Sequence, residues 1–155
     1  MSDKGYYYTK ISACEGEIEA CSSAIHKKNQ KVSELSSLKS RVISYLDRVD
    51  EVQRNRRNSL SLAVGDLCSR KRYSQKIIQS YEQSMSDLLS GSDYYTVVDG
   101  MLTAEEIIKE KIRRLNEEIE EHSREISKYN SNIEKYRREI QRIEEREREY
   151  GRYDY

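Results

Sequence analysis

The stretch that decides the fold is Lys111–Ile143, KIRRLNEEIEEHSREISKYNSNIEKYRREIQRI. Ile112, Ile119, Ile126, Ile133 and Ile140 recur every seven residues, and three places after each come Leu115, His122, Tyr129, Tyr136 and Ile143. This is an a/d heptad with Glu, Lys and Arg filling most of the positions between, the pattern of a helix that buries one narrow seam against a partner helix. Working outward, Thr103 is a suitable N-cap and Glu106 completes a capping box. Gly151 stands where the helix should stop. The expected helix runs from about Ala104 to about Tyr150.

The N-terminal third carries a matching seam. Its a positions are Ile11, Ile18, Ile25, Val32, Lys39 and Leu46, and its d positions are Cys14, Cys21, Lys28, Leu35, Val42 and Val49. The expected helix spans about Tyr6 to Gln53, with Gly16 tolerated near its start. Each tract measures about 70 Å of helix. The fold class that follows is all-α: an elongated antiparallel coiled-coil hairpin of two long helices with a shorter helix between, forming a single domain over residues 1–155. One register sets each a opposite a d, pairing residues whose numbers sum to 161. It stacks Leu46 on Leu115, Val42 on Ile119, Leu35 on Ile126, Val32 on Tyr129, Ile25 on Tyr136 and Ile18 on Ile143. Lys39 and His122 then share one layer, where a polar pair would fix register at some cost in stability. Lys28 falls opposite Ile133 and is expected to snorkel outward. The alternative is that the two seams pair with other chains.

Between the tracts the character changes. Arg54-Asn55-Arg56-Arg57-Asn58-Ser59 is polar enough to suggest a break, followed by a helix from about Leu60 to Leu89. Leu60, Val64, Leu67, Ile77, Ile78, Tyr81, Met85 and Leu88 form its apolar side and are the candidate partner-binding stripe. A connector is expected over residues 90–103, with turn residues at Ser90-Gly91-Ser92-Asp93 and Asp99-Gly100. The alternative is a first helix running unbroken to Leu89. Arg54, Arg56, Arg57, Arg70, Lys71, Arg72 and Lys76 face only Asp66 in the sequence around them. Without a stacking platform or reader motif, this run reads as a solvated face or a rim for an acidic partner rather than a nucleic-acid footprint.

Composition narrows the function classes. The chain has 155 residues, of which 35% are hydrophobic and 36% charged, and it lacks Pro, Trp and Phe. Its 28 basic and 28 acidic residues cancel, so no global field draws it to nucleic acid or an acidic membrane. No stretch approaches the length of a membrane span, and Met1–Lys10 does not resemble a signal peptide. The expectation is a cytoplasmic protein, exported only by a route that needs no such peptide. Cys14 and Cys21 lie two helical turns apart, beyond disulfide reach, and read as small buried hydrophobes. Neither His26 nor His122 has metal-like neighbours in sequence, and no cofactor is expected. There is no Gly-rich phosphate loop, Walker signature or HExxH motif, so a non-enzyme is expected. The 13 tyrosines include Tyr6, Tyr7 and Tyr8 near the start and Tyr150, Tyr153 and Tyr155 near the end, residues suited to interfaces.

The plan resembles the small helical partner and targeting proteins encoded with LXG-domain toxins of the Gram-positive type VII secretion system, relatives of the WxG helical hairpins. The resemblance rests on a long helix after a Tyr-rich start, the central segment Leu67-Cys68-Ser69-Arg70-Lys71-Arg72-Tyr73, and a C-terminal coiled helix opening with Ile107, Ile112 and Leu115. Cys68 and Arg70 stand where that family carries Trp and Gly. Tyr150-Gly151-Arg152-Tyr153-Asp154 fits the family's Tyr-x-x-x-Asp/Glu export signal, which would rest on Tyr150 and Asp154. The resemblance implies a heteromeric adaptor that binds a helical toxin domain and escorts it to the secretion machine. Two other readings remain: a structural coiled-coil subunit of a larger assembly, and a nucleic-acid-binding accessory protein. The middle helix's apolar face also leaves room for self-association.

Overall fold

A computed structural model describes residues 3–70, 73–89 and 91–150. Three helices account for 97% of it: α1 (Asp3–Ser69), α2 (Gln75–Leu89) and α3 (Ser92–Tyr150), with no strand among the described residues. The two long helices pack against each other, with the short α2 between them in the chain. The heptad seams are where the sequence places them. Every a and d position from Ile11 to Val49, and from Ile112 to Ile143, is buried or half-buried, while the intervening positions are mostly exposed.

The helix ends differ from the expected ones. No break occurs at Arg54–Ser59; α1 runs on to Ser69. The reason is that this polar run contains no terminator. The chain has no Pro, and no Gly lies between Gly16 and Gly65. Arg is a good helix former, and the seam continues through buried Gln53 and half-buried Leu60 and Leu67 at seven-residue steps. The alternative of one helix to Leu89 is not adopted either. Beyond Ser69, whose hydroxyl donates to the Asp66 carbonyl at 2.8 Å, the chain turns. Ser74 then caps α2, accepting from the Ile77 N–H at Oγ (3.4 Å) and from the Ile78 N–H at its carbonyl (3.2 Å).

At the other end, α3 starts at Ser92 rather than near Ala104, so most of the expected 90–103 connector is helix. Thr103 is not an N-cap: its hydroxyl donates to the Asp99 carbonyl one turn back, at 2.8 Å. Glu106 accepts from Lys109 at 2.9 Å instead of closing a capping box. Asp99-Gly100 costs helix propensity, about 1 kcal/mol for the glycine. Against that stands the burial of Tyr94, Val98, Met101, Ala104 and Ile108 along one face. Tertiary burial outweighs the local turn signal.

The chain divides into two compact units: Met1–Glu34 with Ile112–Tyr155, and Leu35–Lys111. In the first unit α1 and α3 are antiparallel, with Lys4 paired to Glu147 and Lys28 to Glu118. Its core is Ile11, Cys14, Ile133 and Ile140, flanked by Tyr7, Ile18, Tyr129 and Tyr136. Tyr7 meets Tyr136 with ring centroids 6.0 Å apart. These contacts correct the register. Lys28 meets Glu118 and Cys21 meets Glu125, pairs whose numbers sum to 146, where the expected pairing would set them against Ile133 and Ile140. The offset from 161 is about two heptads, and a two-heptad slide leaves every a still facing a d. Apolar spacing alone therefore does not discriminate between the two registers; polar contacts do. The Lys39–His122 layer is replaced, His122 lying beside Glu125, and Lys28 has an ion-pair partner rather than a free run to solvent.

In the second unit, α2 and the last turns of α1 face each other across open grooves lined by Leu60, Ala63, Tyr81, Met85 and Leu88, and by Leu67, Ile77 and Ile78. α3 is tied to α1 there by the Tyr94 hydroxyl, which donates to Asp50 Oδ1 at 2.6 Å. That bond, with burial second, raises the Tyr94 phenol above its ordinary pKa.

Two measurements check this packing. Ile133→Ala, which opens a cavity in the first unit's core, should cost about 2–4 kcal/mol. Ile107→Ala, at a site 53% exposed, should change stability by less than about 0.5 kcal/mol. The register is checked by charge exchange: Lys28→Glu should lower Tm, and adding Glu118→Lys should restore most of the loss. Lys28 holds the Glu118 carboxyl below its ordinary value of 4.5. Its stabilising contribution is thus present above pH 4.5 and lost as pH falls through the depressed folded-state value. The Tm gap between the wild-type chain and Glu118→Gln should accordingly narrow in acid.

Candidate functional sites

The expected partner-binding stripe divides between inward and outward positions. Ile78 is buried and Leu60, Leu67, Tyr81 and Met85 are half-buried along the grooves between α1 and α2, and Val64 is half-buried as well. Only Ile77 and Leu88 of the stripe are exposed, at 58% and 76%. The expected stripe is one face of a continuous helix across Leu60–Leu89. The turn after Ser69 folds that face onto itself, so its two halves meet.

What remains exposed is apolar all the same, and its distribution is uneven. In the second unit the exposed large hydrophobics are Leu38, Ile43, Val52, Leu62, Ile77, Leu88, Val97, Leu102 and Ile107 together with Tyr45, Tyr73 and Tyr95, whereas those of the first unit, among the described residues, are Tyr6, Tyr8 and Tyr150. Leu62, the most exposed at 77%, lies outside the expected stripe. Val52, Leu60, Ala63, Tyr81, Met85 and Leu88 line an open groove of about 770 Å³, with Arg56 at its edge. Arg56 also borders a neighbouring groove shared by Tyr45, Val49, Val97 and Met101. Of the exposed aliphatic residues, Val52, Leu88 and Val97 border these grooves, while Leu62 stands outside them.

Of the export-signal pair, Tyr150 ends α3 and is 76% exposed; Asp154 lies outside the described residues. Within the segment compared with the WxG position, Leu67, Cys68 and Ser69 close α1, Tyr73 precedes α2, and Lys71 and Arg72 lie outside the described residues.

A second constellation was invisible in the linear sequence. Cys21, buried on α1, comes to His122 and Glu125, which are half-buried on α3. The Cys21 thiol donates to Glu125 Oε2 at 3.4 Å, and His122 Nδ1 lies 3.1 Å from the same oxygen. His122 and Glu125 are three apart, a spacing that puts both on one helical face. The third member is 104 residues from Glu125 in the chain and arrives only through the hairpin, in the register that replaces the expected one. Burial chiefly, then the hydrogen bond to Glu125, raises the Cys21 thiol pKa. The hydrogen bond from His122, then that from Cys21, lowers the Glu125 carboxyl.

Fold and sites together define an all-α helical hairpin with no helix long and apolar enough to cross a membrane among the described residues. No protein-family model matches the chain, and no match was found among curated proteins or solved structures.

The thiols give a direct check on this arrangement. Cys68 is exposed, whereas Cys14 and Cys21 are buried. Timed alkylation with iodoacetamide, read by mass spectrometry, should label Cys68 at least about tenfold faster than Cys21 at neutral pH, because the buried thiol carries little thiolate. Equal rates would contradict the burial of Cys21 beside Glu125.

Proposed function

We propose that this protein is a non-catalytic, protein-binding adaptor that receives an amphipathic helix on its second unit. The observation that carries this reading is that, among the described residues, the large exposed aliphatic side chains all lie within Leu35–Lys111. A hairpin that already buries its heptad seams has no internal use for Leu62, Ile77, Val52 and Leu88 at the surface. Covering them with a partner removes apolar area from water, at about 25 cal/mol per Å². Arg54, Arg56 and Arg57 fall within the same stretch of α1, so the fitting occupant is a helix with an apolar face and an acidic flank.

The resemblance to partner proteins of LXG-type toxins supplies the biological form of this reading: the occupant is a helix of the toxin's N-terminal domain, bound in the cytoplasm and escorted to a type VII secretion machine. Tyr150 and Asp154 would then serve as a signal read separately from the binding face. A structural coiled-coil subunit would use the same apolar side chains to assemble with its own kind, and a nucleic-acid accessory would use the arginines alone.

The test is co-expression of the tagged chain with the product of the adjacent gene, followed by affinity purification and an export assay in the native host. A toxin-like helical protein should co-purify and raise Tm by mass action. Leu62→Glu with Leu88→Lys should abolish capture while leaving helix content unchanged. Deleting residues 151–155 should leave capture intact and stop export. Capture undiminished by the double substitution would overturn the docking face. Self-association lost with the same substitutions would favour the structural subunit, and salt-sensitive DNA binding lost on Arg56→Ala would favour the third reading.

A further inference from the structure

We propose that Cys21, His122 and Glu125 form a zinc-binding site that clamps α1 to α3, independent of any partner bound on the second unit. The three donor atoms, Cys21 Sγ, a ring nitrogen of His122 and a Glu125 carboxylate oxygen, all lie within 4.8 Å of one another. Tetrahedral zinc binds thiolate at about 2.3 Å and imidazole nitrogen or carboxylate oxygen at about 2.0–2.1 Å. Those bond lengths imply donor-to-donor edges of about 3.5 Å for sulfur to oxygen and about 3.3 Å for nitrogen to oxygen. The protein holds these edges at 3.4 Å and 3.1 Å. Two of the three edges thus already match those of a coordination tetrahedron, and the third, between Cys21 Sγ and the His122 ring, lies within 4.8 Å and closes on binding.

The donor set selects the metal class. A thiol and an imidazole exclude magnesium and calcium, which take oxygen ligands, and favour a borderline ion such as zinc. On binding, the ion displaces the thiol proton to solvent, leaving a Zn–S bond to the thiolate. The His122 proton moves to the nitrogen that does not ligate, so the ring binds as neutral imidazole. The net charge of the three ligands is then minus two, balancing the ion. The site is open to solvent on α3, where the His122 and Glu125 side chains are 29% and 43% exposed, and buried at Cys21. Water completes the shell there. The position also explains a polar interruption in the seam. His122 occupies a d position among isoleucines and tyrosines, and Cys21 occupies the smallest kind of d position, leaving room for an ion where two larger apolar residues would leave none.

The site is tested on the full chain, purified under reducing, metal-free conditions, with zinc competed against a chromophoric chelator and cobalt as the spectroscopic probe. One cobalt ion per chain should bind and give a thiolate-to-cobalt charge-transfer band in the near ultraviolet. Zinc should abolish the band and raise Tm. Cys21→Ser should remove the band, and His122→Gln and Glu125→Gln should each lower zinc affinity about tenfold or more. Cys68→Ser and His26→Gln should bind as the unaltered chain does. Circular dichroism guards against misfolding: if Cys21→Ser loses helix, the half-exposed His122→Gln and Glu125→Gln variants carry the test. No thiolate band with cobalt would overturn the site, as would a band that survives Cys21→Ser or zinc affinity unchanged in both α3 variants.

Discussion

A chain that is 36% charged and 35% hydrophobic, with no Phe, Trp or Pro, has little apolar area to withdraw from water, and the heptad seam is where it withdraws it. Two positions in seven face inward, and everything else in the structure follows from that narrowness. The core cluster of the first unit contains only Ile11, Cys14, Ile133 and Ile140 at its centre, with tyrosines sealing its flanks. Tyrosine suits this role because its ring covers the edge of the seam while its hydroxyl stays wet. A thin seam also leaves no side chain fully enclosed, none falling below 2% exposure among the described residues. Stability must therefore come from many half-buried contacts in series.

A seam built on a strict repeat is easy to form and hard to align. Sliding one helix by whole heptads exchanges isoleucine for isoleucine and changes apolar burial little. The register here is held by the residues that are not interchangeable: Lys28 with Glu118, Lys4 with Glu147, and Cys21 with Glu125 and His122. Exposed ion pairs contribute little to net stability, but register selection depends on differences between alignments. Any alternative alignment strips these groups of their partners and sets some of them against hydrocarbon.

This explains what was legible in the sequence. The seams were legible residue by residue, from Ile11 to Val49 and from Ile112 to Ile143, because periodicity is a property of each strand of text alone. The register was not, since it depends on which distant groups meet, and the apolar pattern admits several answers. Helix ends depart from the sequence signals where those signals compete with burial. Thr103 and Glu106 have the chemistry of a capping box, yet burial of the Tyr94–Ile108 face carried the helix through them. Arg54–Ser59 looked like a break because it is polar, although polarity without Gly or Pro does not end a helix. Of the expected apolar stripe, only Ile77 and Leu88 stay exposed, because the turn after Ser69 sets the others against each other, while Leu62, the most exposed large hydrophobe among the described residues, sits off the face to which the periodicity points.

The two units answer the same composition differently. In the first, the large exposed hydrophobics are tyrosines, whose hydroxyls tolerate water. In the second, aliphatic side chains with no polar handle lie exposed beside open grooves, next to the arginines of α1. Had selection favoured solubility alone, substitutions such as Leu62 to Lys would offer the same helix propensity without the exposed area, since Leu and Lys rank nearly alike. At the most exposed of these positions the apolar side chain therefore adds nothing to helix propensity that a polar residue would not. What the second unit exposes is thus apolar area that its own helices leave uncovered, and the arginines of α1 border it.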